Sequence, residues 1–170
     1  FEEIIELCDK YPFVYGALWL HPEEVNGAED TLLDSVKKSA AHPKIKAIGE
    51  IGLYYYWVKA NKELQKHWLG VKFSLARALN LPVIIHDRDA HKDTLDVLRE
   101  HRIWECGGVF HCYRGSAELL GEILDWGKYI GFGGVLTFQN SAKPRRAAAA
   151  VPLDRHVLER DCPYVAPVPM

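Results

Sequence analysis

Two hydrophobic spacings alternate along this chain. Short, continuous runs rich in Val, Ile and Phe are each followed by a longer segment whose apolar residues recur every three or four positions. The runs are Phe13 to Leu20, Ile45 to Leu53, Pro82 to His86, Gly108 to Cys112, Tyr129 to Leu136 and Val157 to Asp161. They are too continuous for half-exposed antiparallel strands and predict buried parallel ones. Residues 30–41 set Leu32, Leu33, Val36 and Ala40 on one helical face, and residues 61–79 do so with Leu64, Trp68, Val71, Leu75 and Leu79. Asn80 is a suitable stop for the second of these helices. Ser116 is placed to cap a helix carrying Leu119, Leu120, Ile123 and Leu124 that ends near Gly127. Pro144 suits the first turn of an alanine-rich helix reaching about residue 150, and residues 1–10 read as the back half of a helix. Six such strand–helix units predict an α/β fold, either an open doubly wound sheet or a (β/α)8 barrel. Gly131-Phe132-Gly133-Gly134 precedes no phosphate-binding helix, so it reads as a strand end where backbones approach closely.

Composition narrows the field. At 170 residues, the chain is expected to form a single domain, 1–170. The 21 basic and 23 acidic side chains exclude an all-over basic nucleic-acid binder, while leaving room for a local phosphate site built on a metal. No apolar run is long enough to span a membrane, and no signal peptide is visible. Cys8, Cys106, Cys112 and Cys162 have no CxxC spacing, which favours a reducing compartment over a disulfide framework. The start at Phe1 reads as a fragment or a processed chain.

The chemistry is placed by the strands. Glu50 follows Ala47-Ile48-Gly49, His86 follows Val83-Ile84-Ile85, His111 follows Val109-Phe110, and Asp161 closes the run begun by Val157-Leu158. A charged or imidazole side chain closing an apolar strand sits at the mouth of the sheet, the edge where α/β folds bind ligands. Taken singly, each is equally a hydrogen-bonded strand-end residue. Two imidazoles and two carboxylates at equivalent positions form a ligand set suited to Zn, Mn, Fe or Mg. Cys112 and Cys162 each follow one of these ligands, so strand alternation turns their thiols away.

Beyond these residues, the sequence resembles the TatD-type metal-dependent deoxyribonucleases. The matching segments are Ala47 to Leu53 with Tyr55-Tyr56-Trp57, Leu81 to Ala90, Gly108 to Tyr113, Tyr129 to Gly134, Val151 to Arg155, Leu158 to Tyr164 and Ala166 to Pro169. They occur in the family's order over nearly the whole chain. The resemblance implies a (β/α)8 TIM barrel with a one- or two-metal site, and Mg²⁺- or Mn²⁺-dependent hydrolysis of phosphodiester bonds, with Zn²⁺ as the alternative metal. The implied substrate is single-stranded DNA, degraded as a 3′-end exonuclease. The resemblance further implies a cytoplasmic (or, in a eukaryote, nuclear) monomer. It makes Glu50, His86, His111 and Asp161 metal ligands. Glu50 is the bridging carboxylate, and Asp161 also orients or deprotonates the attacking water. His21, Arg88 and Tyr113 fall to the substrate, Arg88 as a phosphate contact. For Arg88 the plainer expectation is a salt bridge to Asp87 or Asp89.

Departures from the family are equally specific. The family's opening His-x-His strand and its last strand have no counterpart here, leaving about six of eight strands. Tyr54 stands at a usual Asp, Arg160 at a usual Thr, Arg114 at a small residue, Trp19 at a glycine and Glu23 at a histidine. These changes make the site more cationic, and Trp19 is expected to narrow its mouth. Two alternatives stay open: a non-catalytic remnant that binds nucleic acid or anions, and a metal-dependent amide or lactone hydrolase.

Overall fold

The computed structural model describes residues 1–19, 30–56 and 61–169, in two compact units, Phe1–Gly107 and Gly108–Met170. The first unit runs α1 (Glu2–Lys10), β1 (Gly16–Leu18), α2 (Asp30–Ala40), β2 (Ile45–Tyr54), α3 (Lys62–Ala78), β3 (Val83–Arg88) and α4 (His91–Glu100). Its strands pair in parallel and in chain order, β1 with β2 and β2 with β3.

β2 is the spine of this unit. Ile48, Ile51 and Leu53 are fully buried, and so are Val83 and Ile85 beside them. Removing each such side chain from water stabilises the fold by about 1.5–3 kcal/mol. The β2–β3 register is uneven: Ile48 faces Val83 and Ile51 faces Ile85, so three steps on β2 span two on β3. The surplus residue lies at Gly49-Glu50, and a bulge of this kind re-aims a side chain. Gly52 then passes so close to the His86 carbonyl that a Cβ would overlap it.

Several expectations move by a few residues, each for a physical reason. The first strand is limited to Gly16–Leu18, because Phe13 and Tyr15 face solvent, with Lys44 and Lys46 over the Tyr15 ring. On α3 the buried residues are Gln65, Trp68, Leu69, Gly70, Lys72, Phe73, Leu75 and Ala76; Trp68 and Leu75 of the expected face are among them, but the stripe is rotated so that Leu64, Val71 and Leu79 are only half-buried. Gln65 explains the rotation. Its amide takes the Tyr54 N–H on Oε1 (2.8 Å) and donates from Nε2 to the Tyr54 carbonyl (3.1 Å), tying α3 to the end of β2. Asn61 caps α3 through its side chain, and Asn80 follows the helix in the left-handed conformation expected of a stop. The charged helix α4 has no counterpart among the expected helices. It buries Thr94, Leu95, Val97 and Leu98.

The second unit runs β4 (Gly108–Phe110), α5 (Leu120–Asp125), β5 (Tyr129–Phe132), α6 (Ala142–Ala150) and β6 (His156–Leu158), again with parallel neighbours in chain order. β5 stops at Phe132, since Gly134–Thr137 coils into a 3-10 turn. Ser116 precedes a 3-10 turn, Ala117–Leu119, without capping it. Its hydroxyl bonds Glu118 instead, which lowers the carboxyl pKa of Glu118. β6 ends at Leu158, ahead of the expected Asp161. Within each unit the chain is α/β, with parallel strands separated by helices; β2 and β5 are mostly buried, whereas β6 is exposed at Val157 and Leu158.

Candidate metal centre

In the first unit, Glu50 and His86 meet. Glu50 lies at the bulge within β2 rather than at the strand's end, and β2 continues to Tyr54. His86 stands two residues before the end of β3 and pairs in register with Gly52. The bulge brings the Glu50 Oε1 onto His86 Nδ1, and both side chains are largely buried. The Tyr54 ring stacks on the His86 ring, with centroids 5.5 Å apart and planes 28° apart. Next in β3, Asp87 accepts the Ala90 N–H (3.2 Å) and bonds His91 Nδ1, fixing the turn into α4.

In the second unit, His111 follows β4 directly and Asp161 lies three residues beyond β6. Asp161 Oδ1 stands 3.8 Å from His111 Nε2. That is too long for a hydrogen bond. It is short enough for bonds of about 2.1 Å from each atom to meet on one ion. The other face of the ring is held by Glu159. Its Oε2 accepts from His111 Nδ1, and its Oε1 accepts from the Cys112 N–H. Glu159 is absent from the expected site set. Its signal was period two: Glu159 and Asp161 share one parity beyond β6, and an acidic residue two before a ligand is a candidate to orient a neighbouring histidine. The carboxylate packs over Gly131, where a Cβ would overlap it, so the close approach expected of that glycine is to a side chain as well as a strand.

This arrangement fits a divalent cation by its donor chemistry. A metal-binding histidine characteristically donates its second ring N–H to a carboxylate, which fixes the tautomer and the ring's orientation. Glu159 does this at Nδ1, turning Nε2 toward Asp161. His111 and Glu159 are 13% and 17% exposed, against 40% for Asp161, so the orienting carboxylate is sheltered and the candidate ligand faces water. Among the described residues no three His, Cys, Asp or Glu side chains converge on one coordination point; carboxylates and imidazoles bond one another instead.

The remaining candidates divide. Arg88 takes neither expected carboxylate partner; its guanidinium lies 4.7 Å over the Tyr56 ring. Tyr113 is buried, donates its hydroxyl to the Ser116 carbonyl (2.8 Å) and packs edge-on against Phe110 and Phe132. His21 and Glu23 lie outside the described residues. Trp19 is 9% exposed, against Trp68 and beneath Lys72 Nζ at 5.1 Å. All four cysteines are free, and burial pushes the Cys112 thiol pKa up against the opposing pull of Arg114. No described helix is long and apolar enough to cross a membrane.

Comparison with known proteins agrees with this geometry. The chain is 39% identical over 97% of its length to an uncharacterized metal-dependent hydrolase, YabD, of Bacillus subtilis, spanning 65% of that protein. It is 43% identical over 88% of its length to another, YcfH, of Escherichia coli, spanning 56% of it. The crystal structure of YjjV, a TatD homologue from Escherichia coli, superposes with a TM-score of 0.89 at 31% identity, over 97% of this chain and 64% of that one. A hydrolase TatD family protein from Entamoeba histolytica superposes at 0.81, with 30% identity, over 96% of this chain and 57% of that one. The chain thus spans less than two thirds of each relative, and its fold is an incomplete (β/α)8 TIM barrel. With the TatD-related DNase model matching residues 1–170 throughout, the chain belongs to the TatD family.

Proposed function

We propose that this chain is the core of a metal-dependent phosphodiesterase that removes nucleotides from the 3′ end of single-stranded DNA. The observation that supports this reading best is the sheltered Glu159 carboxylate holding His111 with Nε2 toward Asp161. The relatives are named metal-dependent hydrolases, and the family's description names DNases. Glu50 and His86 in the first unit, and His111 and Asp161 in the second, are the side chains each unit offers to a divalent ion, Mg²⁺ or Mn²⁺. When bound, it supplies Lewis-acid polarisation of a phosphoryl oxygen and a lowered pKa for water. Asp161, the most exposed of these side chains, can orient a water and accept its proton. Glu159 keeps the imidazole in one tautomer, and Arg88 offers a guanidinium to a substrate phosphate. Four free cysteines accord with a cytoplasmic protein.

The test is degradation of 3′-labelled single-stranded DNA with Mn²⁺ or Mg²⁺ against EDTA, with Asp161→Asn as the contamination control. The expected result is metal-dependent release of the terminal label, absent from the variant, while a circular single strand stays intact. Cleavage of the circle would replace the exonuclease mode with an endonuclease one. Absence of metal-dependent cleavage of either would overturn the reading.

A further inference from the structure

The ends of β2 and β3 carry a second feature, laid out from His86 toward solvent. Tyr54 stacks on the His86 ring, and Tyr56 meets Tyr54 edge-on, with centroids 6.5 Å apart and planes 78° apart. Arg88, the register partner of Tyr54, lies over Tyr56. Tyr56 is 49% exposed. Arg88 has carboxylates on both sides in sequence, yet pairs with no carboxylate among the described residues. Asp87 is engaged by His91 and the Ala90 N–H, which leaves the guanidinium on the ring.

We propose that Tyr54, Tyr56 and Arg88 form a stacking subsite for a nucleobase of a single-stranded substrate, next to Glu50 and His86. The inference deepens the DNA-hydrolase reading and rests on it. Aromatic faces and guanidinium planes are the surfaces on which unpaired bases stack, and they accept any base because every base has a π face. A base inside a duplex has both faces covered and cannot reach such a surface, so the subsite selects single strands. Arg88 adds a positive charge beside the backbone of the bound strand. The Tyr54 ring continues the aromatic surface to His86.

Anisotropy of a short fluorescein-labelled oligothymidylate, read in EDTA so that nothing is cut, tests this independently of turnover. Tyr56→Ala is expected to weaken binding about tenfold, while Tyr56→Phe stays within about twofold of the parent. An abasic oligomer of the same length should bind the parent and Tyr56→Ala equally. Because Tyr56 is half exposed, an unchanged Tm is expected for both variants. Equal oligothymidylate affinity for parent and Tyr56→Ala would overturn the subsite, as would an equal loss on the abasic strand or no binding by the parent. Failed cleavage in Mn²⁺ with the Tyr56 dependence intact would overturn the nuclease reading and support the subsite.

Discussion

The two units solve one problem, presenting an imidazole near the end of a strand, by different means. In the first, His86 Nδ1 bonds Glu50, itself a candidate ligand, and a Tyr54 ring supports the imidazole from one face. In the second, a carboxylate outside the expected ligand set takes the Nδ1, and the candidate ligand Asp161 stays unbonded to the ring. The second arrangement is oriented before any ion arrives. In the first, Glu50 must trade its bond to His86 for a place beside it. The same residue types therefore carry different degrees of preorganisation.

The largest effects should come from breaking each half at its candidate ligand. Glu50→Gln and Asp161→Asn are each expected to lower turnover by about 10²–10⁴-fold, read as single-turnover release of a terminal nucleotide. Full activity in either would remove that half from the chemistry. Removing the orienting group alone is gentler. Glu159→Gln should weaken Mn²⁺ binding about 10–100-fold, measured by the electron paramagnetic resonance of free Mn²⁺, with the fold intact. Unchanged affinity would make Glu159 a packing residue and erase the contrast between the halves.

Glycine substitutions sharpen the comparison further. Gly52→Ala collides with the backbone carbonyl of His86, so it should cost about 3 kcal/mol and lower Tm markedly. Gly131→Ala collides with the Glu159 side chain, which can move. It should cost less stability and weaken Mn²⁺ binding in the same direction as Glu159→Gln. The reverse ranking of melting temperatures would contradict the described approaches. The smallest effect belongs to the α3–α4 tie of the first unit. There Asp93 accepts from Lys66 (2.8 Å) and from the Tyr55 hydroxyl (2.9 Å). Lys66 first, and Tyr55 next, hold the Asp93 carboxyl below its ordinary range. Burial, with Asp93 beside it, pushes the Tyr55 hydroxyl up. A depressed carboxylate stabilises the fold above its ordinary pKa, and that contribution is lost as pH falls through the depressed value. Thermal melts from neutral to acid pH should therefore show a steeper loss in the parent than in Asp93→Asn. The difference at neutral pH should be no more than a few degrees, because the pair is near the surface. Parallel profiles would sink the tie.

What was legible in the sequence was what repeats. Continuous Val, Ile and Phe runs located all six strands; in β2 the reason is burial on both faces, which leaves no alternation to misread, whereas β6 was found by its apolar residues although Val157 and Leu158 are exposed. The α3 stripe was placed only in part, at Trp68 and Leu75, because Gln65 and Lys72 are polar by type and buried in fact, the former through its bonds to the Tyr54 backbone. α4 was hidden by its charge: His91, Lys92, Asp93, Asp96, Arg99 and Glu100 dilute the apolar face of Leu95 and Leu98. The candidate ligands stood out as ionisable groups after apolar strands. The bulge that aims Glu50 did not, because one surplus residue leaves no mark on a hydrophobic run. Glu159 was passed over because its role depends on where His111 points, which is tertiary information.

The grip of Glu159 carries one more consequence. A single side chain beyond β6 touches the loop after β4 and rests on Gly131 of β5, so it is a checksum on the alignment of three strands. A slip of β6 by one residue would present Leu158 or Arg160 to His111 in its place, with every helix still formed. Ion uptake by this protein would then report strand alignment: a population with native circular dichroism but little affinity for Mn²⁺ would be a population threaded one residue out of step.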